Sequence, residues 1–242
     1  MSRLLVAFTA VLFCLSAPAR SQTNALPTTD IVLALMVDAS GSVNQKRFEL
    51  QRRGYADAFR NNQVINAIRG GSTGSIAVIM VQWTGPQMQA LAVPWTLIKD
   101  EASAIAFADA IEAAPRQLFG GGTSVSGAID HAMLLLQAAP YRGLKRVIDI
   151  SGDGSNNRGR LVNQARDEAV RAGVGINGLP ILALEPELDR YYEQNVIGGP
   201  GAFVIAAKDF DTFGDAILKK LIAEIADLPP EPSAPHASVA AR

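Results

Sequence analysis

Continuous apolar runs alternate with amphipathic helical segments along this chain, and that alternation limits the folds it can adopt. Residues 31–37 read IVLALMV and residues 75–83 read SIAVIMVQW. Apolar runs of this length, without a polar residue at every second position, are typical of strands buried on both faces. Between them, residues 43–60 carry aromatic residues at helical spacing with basic residues at the intervening positions, which predicts an amphipathic helix.

The same alternation continues to residue 228. We predict further strands at residues 91–95, 144–150, 176–184 and 202–206, with the first of these at an edge because Pro94 lacks a donor. Further helices are predicted at residues 100–114, 123–138, 160–172, 188–196 and 209–228. Strands that alternate with helices favour an α/β fold: a doubly wound, mostly parallel sheet flanked by helices, in a single domain. We place that domain at residues 28–228.

The two ends of the chain differ from this pattern. Residues 1–21 combine an early Arg3, an apolar run and a small-residue Ala-Pro-Ala segment, which is typical of a secretory signal peptide. Residues 229–242 are rich in proline and alanine, which predicts a disordered tail. No other segment is long and apolar enough to span a membrane. We therefore expect an exported protein, periplasmic or secreted, with no stable membrane span after signal cleavage.

Composition excludes several kinds of chemistry. The formal net charge is −1, so no basic surface is expected for a nucleic-acid partner. The single cysteine, Cys14, lies in the predicted signal peptide, and one of the two histidines, His236, lies in the predicted tail. A structural zinc site therefore lacks ligands. The other histidine, His131, falls within a predicted helix, where we expect a surface or packing role.

Ligands bind outside the carboxyl ends of the strands in open α/β sheets, so the loops that follow strands are the candidate site. The first of these reads Asp38-Ala39-Ser40-Gly41-Ser42. One carboxylate and two hydroxyls at steps of two can converge on one point, and hard cations such as Mg²⁺ prefer such oxygen ligands. Alternatively, Ser40 and Ser42 only cap the following helix.

Two other loops carry oxygen side chains that could reach the same edge. Thr123 follows a run of three glycines at the start of a predicted helix, and Asp153 follows the strand at residues 144–150. The alternative roles are a plain helix cap for Thr123 and a turn residue for Asp153. Together, the three loops supply two carboxylates and three hydroxyls to one edge of the sheet.

These residues resemble the pattern of a von Willebrand factor type A (VWA) domain with a metal-ion-dependent adhesion site (MIDAS): D-x-S-x-S, a later threonine, and an aspartate after the fourth strand. The resemblance covers residues 30–228. The strings VDASGSV, GGTSVSGAI and VIDISGDGSNN resemble more specifically an exported bacterial subgroup of unassigned function, the DUF1194 type. The resemblance implies a Rossmann-like VWA fold and five metal-binding residues: Asp38, Ser40, Ser42, Thr123 and Asp153.

The resemblance also implies a function. A divalent cation, with magnesium first and manganese or calcium as alternatives, would keep one coordination position open for a carboxylate of a partner protein. We therefore expect an exported, metal-dependent protein-binding module for adhesion or assembly rather than an enzyme. The oligomeric state is left open.

Two positions depart from what this pattern leads us to expect. The family usually has threonine or serine directly before the second aspartate, whereas Gly152 separates Ser151 from Asp153 here. Asp149 falls inside a strand that should be buried, and an unpaired buried carboxylate is costly. We expect Asp149 to pair with a backbone group, a basic residue or the site itself.

Two other functional classes are alternatives to this hypothesis. A metal-dependent phosphotransferase or hydrolase could use Asp38 as its nucleophile, but Ser40 stands where a second acid would be expected, and no phosphate-loop motif occurs. A periplasmic small-molecule receptor could line a pocket with Trp83 and Trp95, although one domain is small for a two-lobed receptor and core packing is the expected role of both tryptophans.

Overall fold

The structure is a computed structural model that describes residues 25–226. It contains five strands: β1 (Thr28–Asp38), β2 (Ile76–Trp83), β3 (Gln89–Ile98), β4 (Arg142–Gly152) and β5 (Gly175–Pro180). Seven α-helices accompany them: α1 (Gln45–Arg60), α2 (Asn62–Gly70), α3 (Glu101–Ala113), α4 (Val125–Gln137), α5 (Val162–Arg171), α6 (Leu188–Tyr191) and α7 (Phe213–Ala226). A π-helical turn, Tyr192–Val196, follows α6 directly. The predicted signal peptide and the predicted tail both lie outside the described residues.

The five strands form one sheet in the order β3-β2-β1-β4-β5. Every neighbouring pair is parallel except β2 and β3, which are antiparallel, so β3 is the edge strand that Pro94 predicted. Strand order reverses at β1, because the chain passes first to β2 on one side and later to β4 on the other. The predicted α/β fold with a mostly parallel sheet is confirmed.

Helices cover both faces of the sheet and divide the core into two apolar clusters. In β1, Leu33 and Leu35 point to the first cluster, under α1, α2, α3 and α7, whereas Ala34 and Met36 point to the second, under α4, α5 and α6. The period-2 alternation of side chains in a strand explains why an entirely apolar run suits this position. None of the helices within residues 25–226 is long and apolar enough to cross a membrane.

One predicted strand is wrong. Residues 202–206 form no strand; Val204 and Ala207 make only isolated bridges to the outer edge of β5 and the residue after it. The preceding segment contains two glycines with positive φ, Gly199 at 96° and Gly201 at 71°. The chain therefore approaches β5 from a turn and pairs with it at separate points, although its composition is that of a strand.

Two other elements differ from the prediction. β5 ends at Pro180 rather than continuing to residue 184. Helix α2 was not predicted; its N-terminus is capped by the Asn61 side chain, which accepts from the Gln63 N–H at 2.8 Å. Among its three buried residues, Ile68 lies four positions after Val64 and three after Ile65, a helical spacing that could have revealed it.

Candidate metal site

The predicted site residues come from three loops at the carboxyl edge of the sheet. β1 ends at Asp38 and β4 ends at Gly152, and these two strands are neighbours in which Val37 lies opposite Ser151. The carboxylates of Asp38 and Asp153 therefore leave the sheet side by side, at the point where strand order reverses. Both residues are buried, as are Ser40 and Thr123.

A closed ring of hydrogen bonds links four of the five residues. The Ser40 N–H donates to Asp38 Oδ1 at 2.7 Å, and the hydroxyls of Ser40 and Ser42 are 3.1 Å apart. Ser42 Oγ donates to Asp153 Oδ1 at 2.6 Å, and the Asp153 N–H donates to Asp38 Oδ2 at 3.3 Å. The two serines do not cap helix α1, because Asn44 performs that function. Their hydroxyls therefore face the carboxylates instead.

The two carboxylates occupy an environment that disfavours their negative charge. Burial, and then the charge of Asp153, raise the pKa of Asp38 to about 7, although hydrogen bonds from Ser40 and Asp153 act in the opposite direction. Burial also raises the pKa of Asp153. Asp153 Oδ2 has no hydrogen-bond partner among residues 25–226, and its nearest cation is Arg47, whose Nη1 lies 3.6 Å away. A divalent cation would supply the missing positive charge.

Thr123 lies beside this ring rather than within it. Its N–H donates to Asn157 Oδ1 at 3.0 Å, which ties it to the loop after β4. A Cβ built on Gly154 would lie 3.6 Å from Thr123 Oγ1, so the hydroxyl is next to the residue that follows Asp153. The cap of helix α4 is Ser124, which accepts from the Gly127 N–H at 3.1 Å. The Thr123 hydroxyl is thus not used as a helix cap.

Sequence reasoning missed Tyr192, which belongs to the same site. It is fully buried in the π-helical turn, and its hydroxyl lacks a hydrogen-bond partner within the described chain. Burial raises its pKa well above the usual value, with the charges of Asp38 and Asp153 as further causes. No spacing in the sequence connects Tyr192 to the three loops, because the contact depends on how the turn packs over β5.

Tyr192 also explains why position 152 holds glycine, where the family pattern has threonine or serine. A Cβ on Gly152 would lie 3.0 Å from Tyr192 Oη, 3.1 Å from Asp38 Oδ2 and 3.2 Å from Trp83 Cζ2. These distances are tighter than ordinary van der Waals contacts, so a serine or threonine side chain here would require Tyr192 and its neighbours to shift. Glycine at position 152 and tyrosine at position 192 are therefore matched.

Asp149 pairs with a basic residue, which is one of the three outcomes that the sequence left open. Its Oδ2 lies 2.8 Å from Lys220 Nζ of helix α7, and both side chains are fully buried. Glu224 Oε2 lies 3.6 Å from the same ammonium group, and Asn177 Nδ2 donates to Glu224 Oε1 at 2.6 Å. This buried cluster lies on the α7 face of the sheet.

The remaining predicted residues have packing roles. Trp83 is fully buried in the second core cluster and Trp95 packs partly buried against it. His131 is half-buried in helix α4, and burial lowers its pKa. None of these three side chains has a hydrogen bond to the ring of site residues within residues 25–226.

The donor set suits a hard cation. Its side chains offer two carboxylates and the hydroxyls of serine and threonine, and oxygen ligands of this type are those that Mg²⁺, Mn²⁺ and Ca²⁺ prefer. Within residues 25–226 no group of three or more His, Cys, Asp or Glu side chains is arranged to hold a metal. The site therefore offers fewer charged ligands than a high-affinity all-carboxylate cage.

Comparison with known families identifies the relationship. Residues 28–229 match the family described as "Protein of unknown function (DUF1194)". The chain belongs to this family. The resemblance to the DUF1194 type is thereby confirmed, and the matched range covers all the strands and helices of the structure. A search of the curated proteins finds no match to this sequence.

Solved structures similar to this DUF1194 protein have the VWA fold. One is proximal thread matrix protein 1 of the mussel byssus with a zinc-occupied MIDAS motif, with a TM-score of 0.58, 16% identity and coverage of 84% of this chain and 48% of that chain. A second is a von Willebrand factor type A protein from Catenulispora acidiphila, with a TM-score of 0.55, 16% identity and coverage of 82% and 42%.

A third similar structure is the pilus adhesin SpaC from Lactobacillus rhamnosus GG, with a TM-score of 0.54, 18% identity and coverage of 86% of this chain and 31% of that chain. The DUF1194 chain thus spans less than half of the length of each of these three proteins. At these identities the likeness concerns the fold, and it confirms the expected VWA-like architecture.

Proposed function

We propose that this DUF1194 protein is an exported module that binds a divalent cation and uses it to capture a carboxylate of a partner protein. The proposed ligands are Asp38, Ser40, Ser42, Thr123 and Asp153. The observation that carries the proposal is the closed ring that joins two buried carboxylates and two serine hydroxyls at the point where strand order reverses. Export to the periplasm or the extracellular space is part of the same proposal.

Electrostatics supports a cation at this position. Two adjacent buried carboxylates repel one another, and the raised pKa of Asp38 reports the cost of keeping both ionised. A divalent cation removes that cost, and two carboxylates balance its charge without exceeding it. A third carboxylate from a partner can then still bind favourably, helped by the Arg47 guanidinium beside Asp153.

The choice of ion follows from the ligands. Mg²⁺ keeps several water molecules and needs only one or two protein carboxylates, which agrees with this donor set. Mn²⁺ and Ca²⁺ are the alternatives that the same oxygens would accept. The zinc-occupied MIDAS of the similar mussel protein supports a divalent cation in a fold of this kind.

A binding role is favoured over a catalytic one. The side chains around the ring are carboxylates, hydroxyls and a guanidinium, and the imidazole of His131 makes no hydrogen bond to them within the described residues. A phosphotransferase using Asp38 would need a second acid, and the hydroxyl at position 40 stands in its place.

A chelator-sensitive capture experiment tests the proposal. Immobilised wild-type protein and the Asp38→Ala variant are incubated with the envelope fraction of the source organism, with Mg²⁺ or with EDTA. We expect a partner that the wild type retains in Mg²⁺ and releases in EDTA, and that the variant does not retain. A partner recovered equally well in EDTA, or equally well by the variant, would show that the cation is not at the interface. Gly41→Ala is the matched control, because a Cβ there has no neighbour within 4 Å.

A further inference from the structure

Charge is distributed unevenly along the edge that carries the site. On the β5 side, Glu185 accepts hydrogen bonds from the N–H and the hydroxyl of Ser155, at 3.0 and 3.3 Å. On the β2 side, Arg116 Nη2 lies 3.2 Å from the carbonyl oxygen of Ala39 and 3.3 Å from that of Ser40. A segment lying along this edge would therefore meet a carboxylate at one end and a guanidinium at the other.

The Arg116 guanidinium is held in place without a carboxylate. Its Nε donates to the Leu118 carbonyl at 2.8 Å, and its centre lies 4.8 Å from the Phe119 ring and 5.9 Å from the Phe48 ring. No acidic side chain of residues 25–226 forms an ion pair with it. Its charge interacts with that of Asp38 without forming an ion pair. A guanidinium fixed in this way can bind an incoming carboxylate at a small entropic cost.

Arg158 is a second cation that forms no ion pair among residues 25–226, and it lies beside Gly122 and Thr123. The Arg158 side chain packs against Gly122, where an added Cβ would be 2.6 Å from its Cγ and 3.2 Å from its Nε. The backbone N–H of Arg158 donates to the Thr123 carbonyl at 3.1 Å. The Arg158 side chain is exposed and makes no ion pair within the described part of the chain. Two guanidinium groups thus flank the loops that carry Ser40 and Thr123.

Exposed apolar side chains accompany these arginines. The side chain of Phe119 is 68% exposed, that of Leu91 52% and that of Met88 41%. They lie on adjoining segments, because Gln117 Nε2 donates to the Leu91 carbonyl at 2.8 Å and Met88 Sδ lies against Gly121. Exposed apolar groups that are rimmed by charge mark interaction sites in soluble proteins. We call Met88, Leu91, Arg116, Phe119 and Arg158 the β2-side rim.

We propose that the β2-side rim is the docking surface for an extended acidic segment of a partner protein, one that carries a second carboxylate and an apolar side chain beside the carboxylate bound to the cation. This proposal rests on the proposed function, since the first carboxylate is the one at the cation. The second carboxylate pairs with Arg116, and the apolar side chain packs on Phe119.

Charge complementarity with the β2-side rim favours an acidic partner segment over a neutral one. A carboxylate that meets a positioned guanidinium gains charge-assisted hydrogen bonds, and an aromatic side chain next to it excludes water from the pair. The same rim would repel a basic segment, while Glu185 on the opposite side would repel additional acidic residues there. The acidic and apolar part of the segment therefore lies over β2, and a polar or basic part lies towards β5.

Labelled synthetic peptides test this directly. The probes are two capped heptapeptides, Gly-Ser-Asp-Asp-Phe-Ser-Gly and its order-reversed form, and a single-carboxylate peptide, Gly-Ser-Ser-Asp-Ser-Ser-Gly. Binding is measured by fluorescence anisotropy at saturating Mg²⁺ and in EDTA. We expect at least one acidic–apolar peptide to bind about tenfold or more tightly than the single-carboxylate peptide, as one charge-assisted contact would give. Both Phe119→Ser and Arg116→Gln should remove that preference.

The matched controls lie at the opposite edge of the sheet. Arg142 and the 61%-exposed Leu144 are near the start of β4, so Arg142→Gln and Leu144→Ser should leave the preference unchanged. Equal binding of all three peptides, or binding of none of them by a protein that holds Mg²⁺, would overturn the docking surface and leave the cation site standing. A preference that persists in EDTA would contradict the cation-dependent capture instead.

A second copy of this chain is the alternative occupant of the β2-side rim. Sedimentation of the wild type and of Phe119→Ser separates the two cases. We expect both to sediment as the same species. A dimer that dissociates on Phe119→Ser would assign the rim to a second copy of the chain and overturn the acidic partner segment.

Discussion

Ser42 Oγ and Asp153 Oδ1 are joined by a hydrogen bond of 2.6 Å that connects residues 111 positions apart in the chain. It links the loop after the central strand β1 to the loop after the neighbouring strand β4. A site assembled in this way depends on the register of two strands as well as on the residues themselves. Changes at the site should therefore affect both cation binding and the stability of the sheet edge.

Without a metal, ionisation of Asp38 should cost stability as the pH rises. Its carboxyl has a pKa of about 7 when folded, against 3.8 as the reference value. Between these values the folded state retains a proton that the unfolded state has lost, so the free energy of unfolding falls as the pH rises from about 4 to about 7. The shift corresponds to a loss on the order of 4 kcal/mol.

Urea unfolding in EDTA across that pH range measures this effect. Glu224 contributes a loss of the same sign, since burial also raises its pKa to about 7, so the comparison is between the wild type and Asp38→Asn. The variant should gain stability relative to the wild type as the pH rises. Parallel stability curves for the two proteins would contradict the pKa assigned to Asp38.

Gly152→Ala should destabilise the protein by about 1–3 kcal/mol, the usual cost of forcing an extra group into a packed core. The added methyl group would lie about 3 Å from Tyr192 Oη and Asp38 Oδ2. Denaturant unfolding provides the measurement, and Gly41→Ala, with open space around its Cβ, should change stability by less than about 0.5 kcal/mol. Adding Tyr192→Phe should recover part of the loss. Equal effects of the two alanine substitutions would refute the matched pair.

The buried ion cluster under α7 should be sensitive to loss of its cation. Lys220→Met leaves the carboxyl groups of Asp149 and Glu224 buried without an ammonium group, and we expect a loss of about 3–5 kcal/mol. Lys219→Met, at the adjacent exposed position, should cost less than about 0.5 kcal/mol.

Replacing the whole cluster distinguishes charge from packing in that experiment. The triple variant Lys220→Met, Asp149→Asn, Glu224→Gln carries no charge in this cluster, so it should be more stable than Lys220→Met alone. A triple variant that is less stable than Lys220→Met would contradict the view that unpaired buried charge causes the loss.

The sheet and the main site loops could be predicted because their signals are local. An apolar run such as residues 31–37 can be buried only in a central strand, and the D-x-S-x-S spacing places three oxygen side chains in one turn. Residues 202–206 have the same strand-like composition, yet they follow two glycines with positive φ and make only isolated bridges. Whether a segment pairs with the edge strand of a sheet depends on the tertiary structure, and composition alone does not predict it.

Contacts between distant segments explain what sequence reasoning missed. Tyr192 reaches the site from a π-helical turn, and Lys220 reaches Asp149 from the last helix. The sequence position of Tyr192 or of Lys220 does not indicate which residues it contacts. The sequence did indicate that Asp149 needed a partner, because it was a charge in a buried strand, whereas Gly152 was recognised only as a departure from the family pattern.

Calorimetric titration of Mg²⁺ into the metal-free protein tests the central claim most directly. The wild type should bind one Mg²⁺ per chain, and Asp38→Ala and Ser42→Ala should bind it much more weakly while retaining the near-ultraviolet circular dichroism of a packed core. The control variant Gly41→Ala should bind as the wild type does. An Asp38→Ala variant that remains folded and binds Mg²⁺ with unchanged affinity would contradict the assignment of this edge of the sheet as the cation site.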